Sequence, residues 1–289
     1  MPELPEVETV RRGLENLIVG KKVRSVDFDW PKSFPNAPAD VQEFLIGSEV
    51  SAIRRRAKVL IIDLITDYSL VIHLKMTGQM VYRGEQVFGA GHPNDSLIGK
   101  LPDKSTRVNI EFTDKSHLFF NDQRKFGWMR LLPTIEIPNI DFMKKVGPEP
   151  LSEDFTPKIF IERIRKRANT TIKAALLDQT VLAGIGNIYA DESLWGAKIH
   201  PAMRVRDVAD NKLKNLYKEI RFVLELAIEK GGSTDRNYVN AEGKRGSYIE
   251  FARVFRREGK DCKRHPGTEI IKSRVATRGT HTCPKCQVL

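Results

Sequence analysis

Apolar positions divide the 289-residue chain into a strand-rich half and a helix-rich half. Val7, Val10, Leu14, Leu17 and Ile18 recur at helical spacing and predict an opening amphipathic helix. Pro5 suits its first turn, Glu6 and Glu8 favour its positive end, and Gly20 is its expected stop. From Val23 the period shortens to two. Alternation over 23–28 and 49–56, apolar runs over 58–64 and 70–75, and short segments at 79–83, 107–112, 117–120 and 128–132 predict consecutive strands joined by turns. That series is expected to form an antiparallel sandwich. Residues 84–105, rich in Gly, Pro, Asp and Lys, read as a long exposed loop.

Four prolines fall between 133 and 154 with few periodic apolar positions, so this stretch is expected to link two domains. Thr156-Pro157 is a cap followed by a first-turn proline, and Ile159, Ile161 and Ile164 with Arg163, Arg165, Lys166 and Arg167 predict an amphipathic helix. Gly184 and Gly186 permit close backbone approach, and Asn187 is expected to cap a helix starting at Ile188, whose first amides suit an anion. A plain helix–helix corner would carry the same Gly-x-Gly. A long helix over 208–230 is expected to bury Leu213, Leu216, Ile220, Val223, Leu224 and Ile228, with Gly231 and Gly232 ending it. Residues 233–247 are polar and are expected to be a mobile loop.

Charge changes this picture. With 48 Lys and Arg against 37 Asp and Glu, the net charge is +11 and the pI near 9.5, which favours a polyanionic partner, nucleic acid before an anionic membrane surface. An evenly solvated basic surface would give the same total. No segment has the pattern of a signal peptide, and none approaches the roughly 18 apolar residues of a membrane span. An intracellular, cytoplasmic protein is the expectation. All three cysteines lie in the last 28 residues, as Cys262-x2-His265, seventeen residues, then Cys283-x2-Cys286. Two close pairs of thiolate and imidazole donors satisfy tetrahedral zinc, in a segment too short to be held by its own core.

The amino terminus offers a second kind of chemistry. Removal of Met1 would leave Pro2 with a secondary α-amine titrating at about 7.7–8.0. Such an amine attacks aldehyde-level carbon to form a Schiff base, with Glu3 or Glu6 near enough in sequence to move protons. The same residues also read as an ordinary helix start. In the strand half, Arg54-Arg55-Arg56-Ala57-Lys58 would commonly be a solvated cationic face, and Met76 at a strand-to-turn transition a packing filler. Asn121-Asp122-Gln123-Arg124-Lys125-Phe126-Gly127-Trp128 interleaves cations with an aromatic, which suits phosphate contact plus wedging between bases, or simply a loop anchored by Phe126.

MPELPEVETVRRGLE resembles the start of the formamidopyrimidine-DNA glycosylases, base-excision repair enzymes that remove oxidised purines and then cleave the strand. Four further pieces are similar to that family: Lys58 and its strand, the Arg-Lys-Phe-Gly loop, the stretch from Thr171 to Glu192, and the cysteine-rich tail. The resemblance implies an α+β chain of two domains, an N-terminal antiparallel β-sandwich flanked by helices and a C-terminal helical domain with a helix-two-turns-helix element and a zinc β-hairpin. It places the parts at 1–133 (catalytic sandwich), 134–154 (linker), 155–254 (helical domain) and 255–289 (zinc hairpin). It implies Pro2 as nucleophile, Glu3 as the proton-moving carboxylate and Glu6 as its support. Lys58 and Arg278 would grip phosphates beside the lesion, and Lys173 and Asn187 further phosphates. Met76, Arg124 and Phe126 would fill the gap left by the everted nucleotide. One structural Zn2+ is implied, held by Cys262, His265, Cys283 and Cys286. The implied partner is double-stranded DNA with an oxidised base, bound by a monomer in a bacterial cytoplasm, at the nucleoid when bound.

Two departures are visible. Many members carry His-Asp-His where this chain has Ser105-Thr106-Arg107, and His265 stands where a cysteine is usual, with a longer gap between the pairs. The alternatives are a sister enzyme of the endonuclease-eight type acting on oxidised pyrimidines, a silent binder of damaged DNA, and an unrelated enzyme using proline as a base. Leu4 with the Val-Glu-Thr run favours the purine branch, the presence of Pro2 and Glu3 disfavours the silent binder, and a zinc hairpin with +11 charge has no place in the third.

Overall fold

The structure is a computed structural model that describes residues 1–92, 94–233 and 248–289. The expected mobile loop lies outside the described residues from 234 onward. Two compact units are present, one made of Met1–Lys144 with a return segment starting at Lys230, the other of Lys145–Glu229 and Tyr248–Leu289.

The first unit opens with α1 (Leu4–Ile18), which buries Leu4, Val7, Val10, Leu14, Leu17 and Ile18, the spacing expected of one helical face. Nine strands follow: β1 (Val23–Phe28), β2 (Val50–Arg56), β3 (Val59–Leu64), β4 (Tyr68–His73), β5 (Gly78–Arg83), β6 (Val87–Gly91), β7 (Thr106–Phe112), β8 (His117–Asp122) and β9 (Trp128–Pro133). They pair antiparallel into a five-stranded sheet, β1-β7-β8-β5-β6, and a four-stranded sheet, β2-β3-β4-β9. The inner faces and α1 share one core that includes Val10, Leu60, Ile72, Met80, Val108, Phe120 and Met129.

One expectation needs correcting. Residues 84–105 are not a loop throughout: β6 lies within them and buries Phe88 and Ala90. The Phe88 ring lies directly over Gly13 of α1, where a Cβ would collide with it, so the absence of a side chain at Gly13 seats the ring against the helix. Burial of one such ring contributes about 2–3 kcal/mol, enough to hold a short glycine-rich strand that shows no periodicity. Leu97 and Leu101 cover Val81 and Phe119 on the sheet's outer face. Residues 134–145, within the stretch expected to link the domains, carry regular structure. They form a 3-10 helix, Thr134–Asn139, and a short helix, Asp141–Lys145, whose Ile137, Ile140, Phe142 and Met143 cover Val59, Ile61 and Val71 on the outer face of the four-stranded sheet.

Register fixes which ends meet. Val59 pairs with His73 and His73 with Trp128, so the β2–β3 turn, the exit of β4 and the entry of β9 share one end of the four-stranded sheet. In the other sheet Gly78 pairs with Asp122. Residues 74–77 and 123–127 are therefore two connections crossing side by side between the sheets.

The second unit is helical. It contains α2 (Pro157–Arg165), α3 (Ile172–Leu177), α4 (Asn187–Gly196) and α5 (Asp210–Glu229). Thr156 caps α2 as expected, accepting from the Ile159 amide, but its buried residues are Phe160 and Ile164, while Ile159 is exposed. Alpha5 buries Leu213, Leu216, Ile220, Val223, Leu224 and Ala227 in place of the expected Ile228. The unit ends in two small hairpins, β10 (Asp261–Cys262) with β11 (His265–Glu269), and β12 (Ile271–Val275) with β13 (Arg278–Thr282). Among the described residues no helix is long and apolar enough to cross a membrane.

Candidate functional site

In the first unit the start of α1 is buried. Pro2 and Glu3 are both withdrawn from solvent, and Glu6 is 5% exposed. The Glu3 amide donates to Glu6 Oε2 at 2.7 Å within a capping box. The other Glu6 oxygen accepts from the Ser233 amide and hydroxyl at 2.8 and 2.9 Å. One carboxylate thus joins the residue beside Pro2 to the point where the chain enters 234–247. Gly232 makes this possible: its φ is +85°, and a Cβ there would press on Glu6. In the sequence Gly232 is legible only as a helix end and Ser233 only as the start of a polar stretch. Met1 is present, so the Pro2 nitrogen is an amide in this structure.

Lys58 is not on a strand as expected. It occupies the two-residue turn between β2 and β3 with Ala57, whose φ is 53°, and it is 4% exposed. Arg55 braces this turn by donating to the Ala57 carbonyl at 2.9 Å and to Glu8 Oε2 of α1 at 3.0 Å. Burial works to raise Glu8, but Arg11 and Arg55, with hydrogen bonds from Arg12 and Arg55, outweigh it and hold the carboxyl below its usual range.

Past β4, Met76 is half-buried in the crossing turn, and Arg124 and Phe126 are exposed on the parallel crossing, Phe126 by 54%. The Arg124 guanidinium stacks 4.8 Å from the Phe126 ring centroid. An apolar ring is thus left in water beside a cation, and Met76 on the other crossing is half-exposed. Beneath it His73 is 8% exposed between Trp128 and Phe142, and its Nδ1 accepts from the Lys75 amide at 3.0 Å. Burial, then the charges of Lys75 and Lys58, push His73 down to about 3. It is therefore neutral near pH 7 in the folded protein and protonates more readily when unfolded. The sign follows: no contribution above pH 6.5, and a growing loss of stability as pH falls from 6.5 toward 3, close to 1.4 kcal/mol per pH unit at most. In urea titrations the stability advantage of wild type over His73→Asn is expected to shrink across that window; a pH-independent difference would contradict this reading.

The second unit gathers the remaining candidates. Arg278 is exposed at the start of β13, just past a two-residue turn whose Ala276 and Thr277 both have positive φ, 51° and 61°. Asn187 is the first residue of α4 rather than its cap; its amide donates to the Gly279 carbonyl at 3.0 Å. Lys173, expected at a phosphate, is fully buried. Its ammonium meets Asp191 Oδ1 at 2.6 Å, Thr280 Oγ1 at 2.8 Å and the Gly279 carbonyl at 3.1 Å. Asp191, equally buried, also accepts from the His281 amide at 2.9 Å. The next residue, Glu192, accepts from the amides of Arg253, Val254 and Phe255. Lys173 thus positions the hairpin of Arg278 from inside the protein. Breaking a buried pair on one side leaves an uncompensated charge, so Lys173→Met is expected to cost roughly 3–5 kcal/mol. Adding Asp191→Asn is expected to restore part of it; denaturation midpoints that add simply would contradict the pairing.

Donor atoms of Cys262, His265, Cys283 and Cys286 all lie within 4.8 Å of one another. The Cys262 and Cys286 sulfurs are 3.7 Å apart, and His265 Nδ1 is 3.1 Å from Cys286 and 4.0 Å from Cys283. A tetrahedron with metal–sulfur bonds near 2.3 Å has edges of about 3.8 Å, so the set can hold a metal ion and His265 belongs to it. Burial works to raise Cys262, but the Arg264 and His265 amides and the Trp195 indole prevail and draw it down to about 7. Burial and hydrogen bonding with Cys262 and Cys283 push Cys286 up to about 12. Arg264, between the first two donors, fastens the knuckle to the end of α4 through the Trp195 and Gly196 carbonyls, at 2.7 and 3.0 Å, and stacks 3.8 Å from the Trp195 ring centroid.

A sandwich led by a buried N-terminal proline and acid, and a helical unit whose small hairpins adjoin a cluster of three cysteines and a histidine, define a two-unit α+β class, and comparison with known proteins makes it specific. Residues 1–129 match the model of the formamidopyrimidine-DNA glycosylase N-terminal domain, and residues 146–238 that of the formamidopyrimidine-DNA glycosylase H2TH domain. The formamidopyrimidine-DNA glycosylase of Latilactobacillus sakei is 41% identical over 289 residues, spanning all of this chain and 98% of that protein, and that of Pediococcus pentosaceus is 42% identical over the full length of both. Among solved structures, Lactococcus lactis Fpg bound to DNA containing an abasic site is similar at 37% identity and TM-score 0.87, covering 99% of this chain and 100% of that one. A variant of the same lactococcal protein bound to DNA containing Fapy-dG is similar at 37% identity and TM-score 0.87 over all of both chains. The chain belongs to the formamidopyrimidine-DNA glycosylase family.

Proposed function

We propose that this protein is a bifunctional base-excision repair enzyme that removes oxidised purines from duplex DNA and then cleaves the strand as an abasic-site lyase. The observation that carries it is the buried Pro2-Glu3 start of α1, locked by Glu6, in a chain that belongs to this family along its whole length. With Met1 removed, the Pro2 amine attacks C1′ of the damaged nucleotide and the C1′–N bond to the base breaks, the departing base taking up a proton. The C1′–O4′ bond then breaks, O4′ taking up a proton as the sugar ring opens, and the resulting iminium acidifies C2′; loss of the C2′ proton expels the 3′ phosphate, and loss of the C4′ proton then expels the 5′ phosphate. Glu3 moves the protons at the sugar, and Glu6 orients the terminus.

Arg278, an exposed cation, is the proposed phosphate contact, with Asn187 at the start of α4. Lys58 is assigned to the phosphate beside the lesion. Met76, Arg124 and Phe126 fill the space of the everted nucleotide. Cys262, His265, Cys283 and Cys286 hold one structural Zn2+, whose four protein ligands leave no open position; its chemistry is to fix the hairpin that presents Arg278. In functional terms the chain divides into a catalytic sandwich at 1–133, a connector at 134–154, a helical DNA-binding domain at 155–254 and the zinc hairpin at 255–289. The relatives are bacterial, and the cytoplasm is the proposed setting.

The test is single-turnover cleavage of a duplex carrying 8-oxoguanine opposite cytosine. The expected product is a one-nucleotide gap with phosphate at both ends. Cleavage only of duplexes carrying an oxidised pyrimidine would assign the sister activity instead, and retention without cleavage of any lesion would leave a binding protein.

A further inference from the structure

Residues 74–77 carry Met76 and residues 123–127 carry Arg124 and Phe126, and the two stretches are unrelated in sequence. What joins them is Asp122, a fully buried side chain at the end of β8. Its Oδ1 accepts from the Thr77 hydroxyl of the first crossing and, at 3.2 Å, from the Arg124 amide of the second. Its Oδ2 accepts from the Gly127 amide at 2.6 Å, which closes the second crossing around Phe126. Thr77 Oγ1 in turn accepts from the Arg124 amide at 3.1 Å. The backbone of Asp122 is fixed from behind: its amide donates to the Ser105 carbonyl at 2.7 Å, and its carbonyl accepts from Arg107 Nε at 3.1 Å. Arg107 is 2% exposed, pairs with Asp29 and also binds the Ser105 and Lys104 carbonyls. The Ser105-Thr106-Arg107 departure is therefore internal bracing for the same point.

We infer that Asp122 is a positioning residue for the wedge, its carboxylate setting Met76, Arg124 and Phe126 in one rigid arrangement through Thr77 and the Arg124 and Gly127 amides. This rests on the proposed glycosylase activity. Only an acceptor at both oxygens serves: every group facing the carboxylate is an N–H or O–H donor, so an amide in its place turns one N–H against another. The wedge is needed to hold a duplex open once a base is swung out, and has no task where no base is stacked or paired. Asp122 should therefore govern eversion and leave the amine chemistry alone.

The experiment uses the full-length protein starting at Pro2, with Asp122→Asn and, as a second variant that spares the buried charge, Thr77→Val. A 2-aminopurine beside 8-oxoguanine in a duplex reports unstacking by its fluorescence. Borohydride trapping on a single-stranded oligonucleotide with an abasic site reports the amine chemistry without eversion. Asp122→Asn is expected to slow both the fluorescence rise and duplex excision by about 10- to 100-fold and Thr77→Val by about 3- to 10-fold, while single-strand trapping changes less than about twofold. Wild-type fluorescence kinetics in both variants would overturn the proposal, as would a loss of single-strand trapping equal to the loss on duplex. Should Asp122→Asn not fold, Thr77→Val alone decides between these outcomes. Wild-type protein that traps no abasic site would overturn the assigned activity and this proposal with it, a result distinct from the others because it precedes any variant.

Discussion

Protein in which Met1 is retained, or in which Pro2 is acetylated, is expected to lose strand cleavage by on the order of 10⁴-fold or more, the scale seen when a covalent nucleophile is deleted. The reason is electronic. In the Met1–Pro2 peptide the nitrogen lone pair is delocalised into a carbonyl and cannot attack carbon, whereas a free α-amine near its pKa is substantially neutral at pH 7–8. The Glu6 contacts to the Glu3 amide and to Ser233 do not use the Pro2 nitrogen. Pro2→Gly, which presents a primary amine in the same place, is expected to retain measurable cleavage. The comparison is made by single-turnover assays on processed, unprocessed and Pro2→Gly protein; equal rates for the first two would remove Pro2 from the mechanism.

Metal removal is expected to have the second largest effect. Zinc binding to small cysteine and histidine sites supplies about 10–16 kcal/mol of folding free energy, and the segment around Cys262 and Cys286 has only a small cluster of its own, with Trp195, Val254, Ile270 and Cys283. Cys283→Ser, or chelation under mild denaturant, is expected to release the β12–β13 hairpin and lower affinity for lesion duplex at least about 100-fold, while the sandwich unit stays folded. His265→Cys, which restores the usual donor, is expected to retain one bound zinc per chain by elemental analysis. Zinc-free protein with undiminished affinity would show that the hairpin is not what presents Arg278.

The residues that were legible in sequence are those whose signal is local. Helical spacing from Val7 to Ile18, alternation in the strands and the two donor pairs around Cys262 and Cys286 each need only a few neighbouring positions to be read. What escaped depends on partners far along the chain. Lys173 reads as a phosphate-facing cation until Thr280, 107 residues later, is seen to accept from it. Asp122 and Thr77 are separated by 45 residues, Glu6 and Ser233 by 227, and no periodicity links either pair. Beta6 was hidden because Gly89 and Gly91 break its alternation, although Phe88 and Ala90 are as buried as any core residue. Lys58 was placed on a strand because Val59–Leu64 continues the apolar run; the turn is set by the positive φ of Ala57, which an alanine does not advertise. Within the expected linker, Pro133 and Pro138 mask the apolar positions of 134–145 that cover the four-stranded sheet.

The most direct measurement is covalent trapping. Mature protein is incubated with a duplex carrying 8-oxoguanine opposite cytosine, reduced with borohydride, digested and mapped by mass spectrometry. A reduced adduct between the Pro2 nitrogen and C1′ of the excised nucleotide is the predicted result. An adduct on a lysine such as Lys58, or none from protein verified to begin at Pro2, would contradict the account.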